Sequence, residues 1–265
     1  MARPSVSSSQ RSAPDTRQDH LQVHQAMLAL ANPDKAAFLA AYFQTAPGQY
    51  GEGDQFLGLV VPAVRLLAKR FRALPIPQIE TLLDSVYNEE RLLALLVMVD
   101  QYRRGDADAK TLLFQTYMYK RHRINNWNLV DSSAPGIVGQ QLLHGDRSIL
   151  YELATSPRLW DRRIAVLATQ TFIRERDFGD TLKLCTLLLT DPHDLLHKAC
   201  GWMLREVGHR DRGVLENYLL QHHQVMPRTM LRYAIERFEP ETRKCFLLGQ
   251  PGRKPSTEKY RSPVS

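Results

Sequence analysis

The segment Ile124-Asn-Asn-Trp-Asn-Leu-Val-Asp131 carries the densest potential chemistry in this 265-residue chain. Trp127 and Asp131 are four residues apart, so on a helix an indole and a carboxylate share one face. Asn125, Asn126 and Asn128 add amides that a plain packing helix has no use for. A structural reading competes: Trp127 belongs to the core, and Asp131 caps a turn that Ser132, Ser133 and Pro135 bring to an end.

Spacing favours the chemical reading. Trp127 and Arg163 are 36 residues apart, and Arg163 and Trp202 are 39. In a chain built of repeats of that length, such positions recur on stacked neighbouring helices roughly 8–10 Å apart. Trp127, Asp131, Arg163 and Trp202 are therefore expected on one surface, as two aromatic walls, an anion and a guanidinium suited to phosphate. Aromatic faces and a carboxylate both attract a cation. An N3- or N7-alkylated purine in DNA is such a cation and leaves readily. Its enzyme mainly has to stabilise oxocarbenium character on the deoxyribose and orient a water, which Asp131 can do electrostatically.

Weaker constellations surround this one. Lys120, Arg121, His122 and Arg123 form a basic run that reads either as a phosphate contact or as a solvated turn. Arg228 and Arg232 share a helical face and suit either DNA or plain solvent. His193, His197 and Cys200 have helical metal-ligand spacing, but no acidic partner completes a set, and no metal is expected. Trp160 opens an apolar pattern and reads as core. The loop Pro47-Gly-Gln-Tyr-Gly-Glu-Gly-Asp54 lacks the Lys-Ser/Thr ending of a phosphate-binding loop and reads as a shaped surface loop.

The elements that must position these residues are helical. Asn32-Pro33 reads as an N-cap with proline at the first helical position, opening a helix through Tyr42. Pro62 and Pro77 open two more. Apolar periodicity continues over about 89–104, 107–119, 124–131, 146–155, 157–175, 178–190, 192–208, 212–221, 227–238 and 241–248, and no segment reads as a strand. Ser156-Pro157 and Asp191-Pro192 open matching helices 35 residues apart. The fold class predicted is all-α: a HEAT-like helical repeat solenoid, an α-α superhelix with a concave basic cleft.

Residues 1–18 and 249–265 are rich in Ser, Pro and basic side chains and read as disordered tails around a domain at 19–248. The net charge of +7 is mostly theirs: residues 1–18 carry +2 and 253–265 carry +3, leaving +2 for the body. Basicity alone therefore says little about the folded part. Cys185, Cys200 and Cys245 have no disulfide-framework spacing, and no apolar run reaches the roughly 18 residues of a membrane span or forms a secretory signal. A soluble cytoplasmic protein with reduced thiols is expected.

In order and at these intervals, Asn32-Pro-Asp-Lys followed by Tyr42, Phe56-Leu-Gly-Leu-Val-Val-Pro62, Trp127-Asn-Leu-Val-Asp131, Leu159-Trp-Asp-Arg-Arg163 and Lys198-Ala-Cys-Gly-Trp-Met-Leu-Arg-Glu206 closely resemble the AlkD-type DNA alkylation repair glycosylases, a family of HEAT-like repeat proteins. The resemblance covers about residues 30–248. It implies excision of cationic N3- and N7-alkylpurines from double-stranded DNA, without base flipping and with no metal or organic cofactor. It places the catalytic Asp on Asp131, the tryptophans beside the lesion on Trp127 and Trp202, an active-site Tyr on Tyr42 and the backbone-contacting Arg on Arg163. Arg205, Arg228, Arg232, Lys120 and Arg123 are taken as further DNA contacts. The partner is then alkylated duplex DNA, met by a monomer that associates with the nucleoid when bound. The chain departs from the family in its longer loop at 46–54, in having Asn126-Trp127 where some members have a Trp pair, and in its tails. The alternative function is a non-catalytic binder of duplex or branched DNA; a protein-binding scaffold is a third.

Overall fold

The computed structural model describes residues 18–250, so the tails expected at 1–18 and 249–265 fall almost wholly outside the described residues. Where they meet the described part, the chain is ordered: the Gln18 side chain donates to Arg70 O and accepts from Ala73 N.

Helices α1 (His20–Leu28), α2 (Pro33–Tyr42), α3 (Val61–Arg70), α4 (Ile76–Leu83), α5 (Asn88–Arg104) and α6 (Ala107–Lys120) form the first half. A short 3-10 turn, Arg121–Arg123, leads into α7 (Trp127–Ser133). A π-helical stretch, Pro135–Gly139, joins α7 to α8 (Gln140–Leu142). The second half comprises α9 (Ser148–Ala154), α10 (Leu159–Ala168), α11 (Gln170–Arg174), α12 (Gly179–Leu187), α13 (Asp194–Arg210), α14 (Arg212–His222), α15 (Arg228–Ala234) and α16 (Pro240–Leu247). Among the described residues there is no strand, only an isolated bridge between Gln55 and Tyr87. No helix there is long and apolar enough to cross a membrane.

The start of α2 follows the capping chemistry read from the sequence, and three other helices are capped by aspartates. Asn32 Oδ1 accepts from Lys35 N at 3.0 Å ahead of Pro33, and Asp19, Asp106 and Asp211 cap α1, α6 and α14 in the same way. Two expectations need correction. The segment expected as one helix over 157–175 breaks at Thr169, whose hydroxyl turns back to Val166 O. Pro135 does not end the helical path either: Gly139 N reaches back five residues to Ala134 O. A Cβ on Gly139 would come within 2.3 Å of Ala168 O, so only glycine lets this turn lie against α10.

The architecture is an α-helical repeat solenoid. α5, α7, α10, α13 and α15 pack in succession, each against the next, and α4, α6, α9, α12 and α14 back them. A continuous core runs between the rows, including Leu93, Leu129, Ile164, Leu204 and Leu231, all essentially buried. Side chains one repeat apart on the first row therefore become neighbours.

Candidate functional site

A cleft of about 360 Å³ opens along that row, lined by Tyr42, Tyr50, Trp127, Arg163, Leu195, Lys198, Trp202 and Tyr233. Trp127, Arg163 and Trp202 come from α7, α10 and α13, as their spacing predicts. Tyr42 ends α2, and its ring meets the edge of Trp127 at 6.1 Å. Phe43 stacks on Trp127 at 4.9 Å and on Phe56 at 5.0 Å, so the indole is backed by an aromatic column. The Trp202 indole N–H donates to Glu206 one turn further along α13.

Asp131 lies one turn beyond Trp127 on α7. Its carboxylate accepts from Arg163 Nε and Nη2, both at 2.8 Å, and Arg163 Nη1 donates to Leu195 O at 2.6 Å. The Asp131 side chain is 16% exposed and that of Arg163 only 6%. Burial pushes the Asp131 carboxyl above the ordinary carboxylate range, while the hydrogen bonds and charge of Arg163 pull it back. Both oxygens accept from one guanidinium, the geometry of the anion.

The guanidinium of Arg163 is thus paired with a carboxylate while it lines the cleft. Removing one partner of such a buried pair costs about 3–5 kcal/mol. Lys198, the other cation of the cleft, is 41% exposed and, among the described residues, ion-paired only with Asp194, at 2.8 Å one turn back on α13. A pair of that kind contributes roughly 0.3–0.5 kcal/mol.

Other expected DNA contacts also have protein partners. Lys120 bonds Asp84 Oδ2 at 2.6 Å, and Arg123 donates to the carbonyls of Leu83, Asp84 and Ser85, so this basic run ties the 3-10 turn to the end of α4. The exposed last carbonyls of α4 draw these cations inward. Arg205 is bound to Glu236 on the loop after α15, with Glu206 alongside. Arg228 and Arg232 remain exposed on α15, with Arg228 also donating to Leu247 O. Trp160 is buried and meets Tyr50 edge to face. His197 is bonded to Asp191 O and Cys200 is buried, and no metal-binding group of three or more such side chains exists among the described residues.

The glycine-rich loop is more than a surface feature. Asp54, 2% exposed, receives Arg91 Nη2 at 2.5 Å, Asn88 Nδ2 at 2.9 Å, Asn125 Nδ2 at 3.0 Å and Asn126 Nδ2 at 3.3 Å. Asn126 Oδ1 also caps Trp127 N at 2.9 Å, and Asn128 pairs with Asn88. The amides that looked excessive in the sequence clamp the loop to the start of α7. Gly51 must be glycine, since a Cβ there would sit 2.4 Å from Phe43 O. Tyr50 is thereby held over the cleft. At the loop's end Glu89 accepts from Leu57, Gly58 and Leu59 N–H groups, its carboxyl pushed up by burial against the pull of those bonds.

Tyr50, Leu195, Lys198 and Tyr233 were not singled out from sequence. Lys198 carried a usable signal, standing four residues before Trp202 and so on the same helical face. Tyr50 and Tyr233 carried none, because a loop and a short helix give no periodicity to read.

A sequence profile described as DNA alkylation repair enzyme matches residues 23–238. A solved structure titled a predicted DNA alkylation repair enzyme from Enterococcus faecalis superposes with a TM-score of 0.63 at 18% identity, over 79% of this chain and 97% of that one. At that identity the likeness is one of fold. No curated protein matches.

Proposed function

The chain belongs to the DNA alkylation repair enzyme family, and from that premise we propose that it is a DNA glycosylase that hydrolyses the N-glycosidic bond of N3- and N7-alkylated purines in duplex DNA. The observation that carries this reading is the Asp131 side chain, held by Arg163 beside a cleft walled by Trp127 and Trp202. The rings and the carboxylate favour a cationic base over a neutral one. As the bond between C1′ and the purine nitrogen breaks, its electron pair leaves with the base, which becomes neutral. Positive charge moves to the sugar, where Asp131 stabilises it. Each carboxylate oxygen spends one acceptor position on Arg163 and keeps another, so Asp131 can also orient the water that attacks C1′ and receive its proton. An abasic site and a free base result.

The open cleft suits a lesion approached from its backbone without base flipping, with Tyr42 and Tyr50 beside it. In this reading the repeats are HEAT-like, the cleft lies on their concave DNA-binding side, Arg228 and Arg232 meet the duplex backbone, and the protein acts as a monomer. Incubating it with duplexes carrying 3-methyladenine, 7-methylguanine or a bulky N7 adduct, then measuring released base, tests the proposal. Binding of duplex or branched DNA with no release from any of them would leave a non-catalytic binder.

A further inference from the structure

We infer that Lys198 is a residue of this cleft that holds a DNA phosphate. The inference rests on the DNA reading above and adds to it a cation that anchors the strand.

Two cations line the cleft, and their surroundings differ. Arg163 has its Nε, Nη1 and Nη2 engaged with Asp131 and Leu195 O, and its side chain is 6% exposed. Without giving up Asp131 it has only one further N–H on each of Nη1 and Nη2 to offer, from a fixed and nearly buried fork. Lys198 is 41% exposed and has three N–H donors on a flexible stem, so it can keep Asp194 with one and offer the others. Asp194 is itself 55% exposed, so solvent weakens its hold. The hydrogen bond to Asp194 also pushes the Lys198 ammonium above its ordinary value, which favours its charged form. Lys198 shares a helical face with Trp202, one turn away, which sets an anchored phosphate beside the wall that meets the lesion. The cleft also presents the phenols of Tyr42, Tyr50 and Tyr233 as hydroxyl donors.

The test is the salt dependence of binding to an undamaged duplex, because each phosphate contact contributes about 0.9 to the slope of log K against log salt. Lys198→Ala is expected to lower the slope by about 0.9 and Lys198→Arg to restore it. Lys183→Ala, which removes an exposed lysine of α12 outside the cleft, should leave the slope unchanged. A Lys198→Ala slope equal to that of the unaltered protein, or a fall matched by Lys183→Ala, overturns the inference while the DNA reading stands. Failure of the unaltered protein to bind duplex at any salt concentration overturns both.

Discussion

The guanidinium of Arg163 and the carboxylate of Asp131 meet fork to fork across two neighbouring helices of the row, 32 residues apart in sequence, with both bonds at 2.8 Å. The pair places a nearly buried carboxylate beside an aromatic cleft, and Arg163 opposes the burial that disfavours its ionisation. In the function proposed, Arg163 then acts at least in part by positioning Asp131.

Replacing Arg163 by alanine leaves that carboxylate buried without its partner. A stability loss of about 3–5 kcal/mol is expected, read as a lower thermal midpoint, together with a strong fall in base release. Arg163→Lys should rescue only part of this, since a point charge cannot make two parallel bonds. Full activity in Arg163→Ala would show that Asp131 needs no partner.

Release of base should depend on the ionisation of Asp131. Its carboxyl is raised by burial, so activity should fall on acidification at a pH above the ~3.9 of an ordinary aspartate. The sign for stability is opposite. A carboxyl raised in the folded state favours folding most when protonated, and that contribution is lost as pH rises from the ordinary value through the raised one. Subtracting the stability profile of Asp131→Asn from that of the unaltered protein isolates it; a difference that grows with pH in this window would contradict the direction.

Much of this site was legible in the sequence, and the missing parts share a cause. Trp127 and Asp131 could be put on one face, and Trp127, Arg163 and Trp202 on one surface, because helix and repeat periods are regular. Periodicity says which side chains become neighbours but not which of them will pair. Arg163 was thus read as a phosphate contact with its two-bond pairing to Asp131 unforeseen. Asn125 and Asn126 stood out as unexplained amides, but their acceptor Asp54 lies 71 and 72 residues away in a loop with no period. Pro135 reads as a stop because proline lacks an N–H; the π turn continues past it, with the Pro135 carbonyl taken by Thr171.

Asp54 should prove critical to both fold and site. Asp54→Ala leaves Arg91, 2% exposed, without its ion-pair partner and takes an acceptor from three asparagine amides. A loss of at least about 3 kcal/mol is expected, with a change in tryptophan emission as the start of α7 loosens around Trp127. An unaltered thermal midpoint would mean that the clamp is not what holds the loop.

The tryptophans should separate by function. Trp160 is 7% exposed in the core, so Trp160→Ala should cost about 3–5 kcal/mol. Trp202 lines the cleft, and Trp202→Ala should lower base release with a smaller loss of stability. Chemical denaturation of the two variants beside the unaltered protein gives the comparison, and equal losses would place Trp202 in the core instead.

The most direct test of the account is single-turnover release of 7-methylguanine from duplex DNA by the unaltered protein and by Asp131→Asn, each first shown to be folded. The account predicts release by the former and a rate lower by at least about 100-fold in the latter, the scale of losing an electrostatic group that acts on the transition state. Equal rates would contradict it.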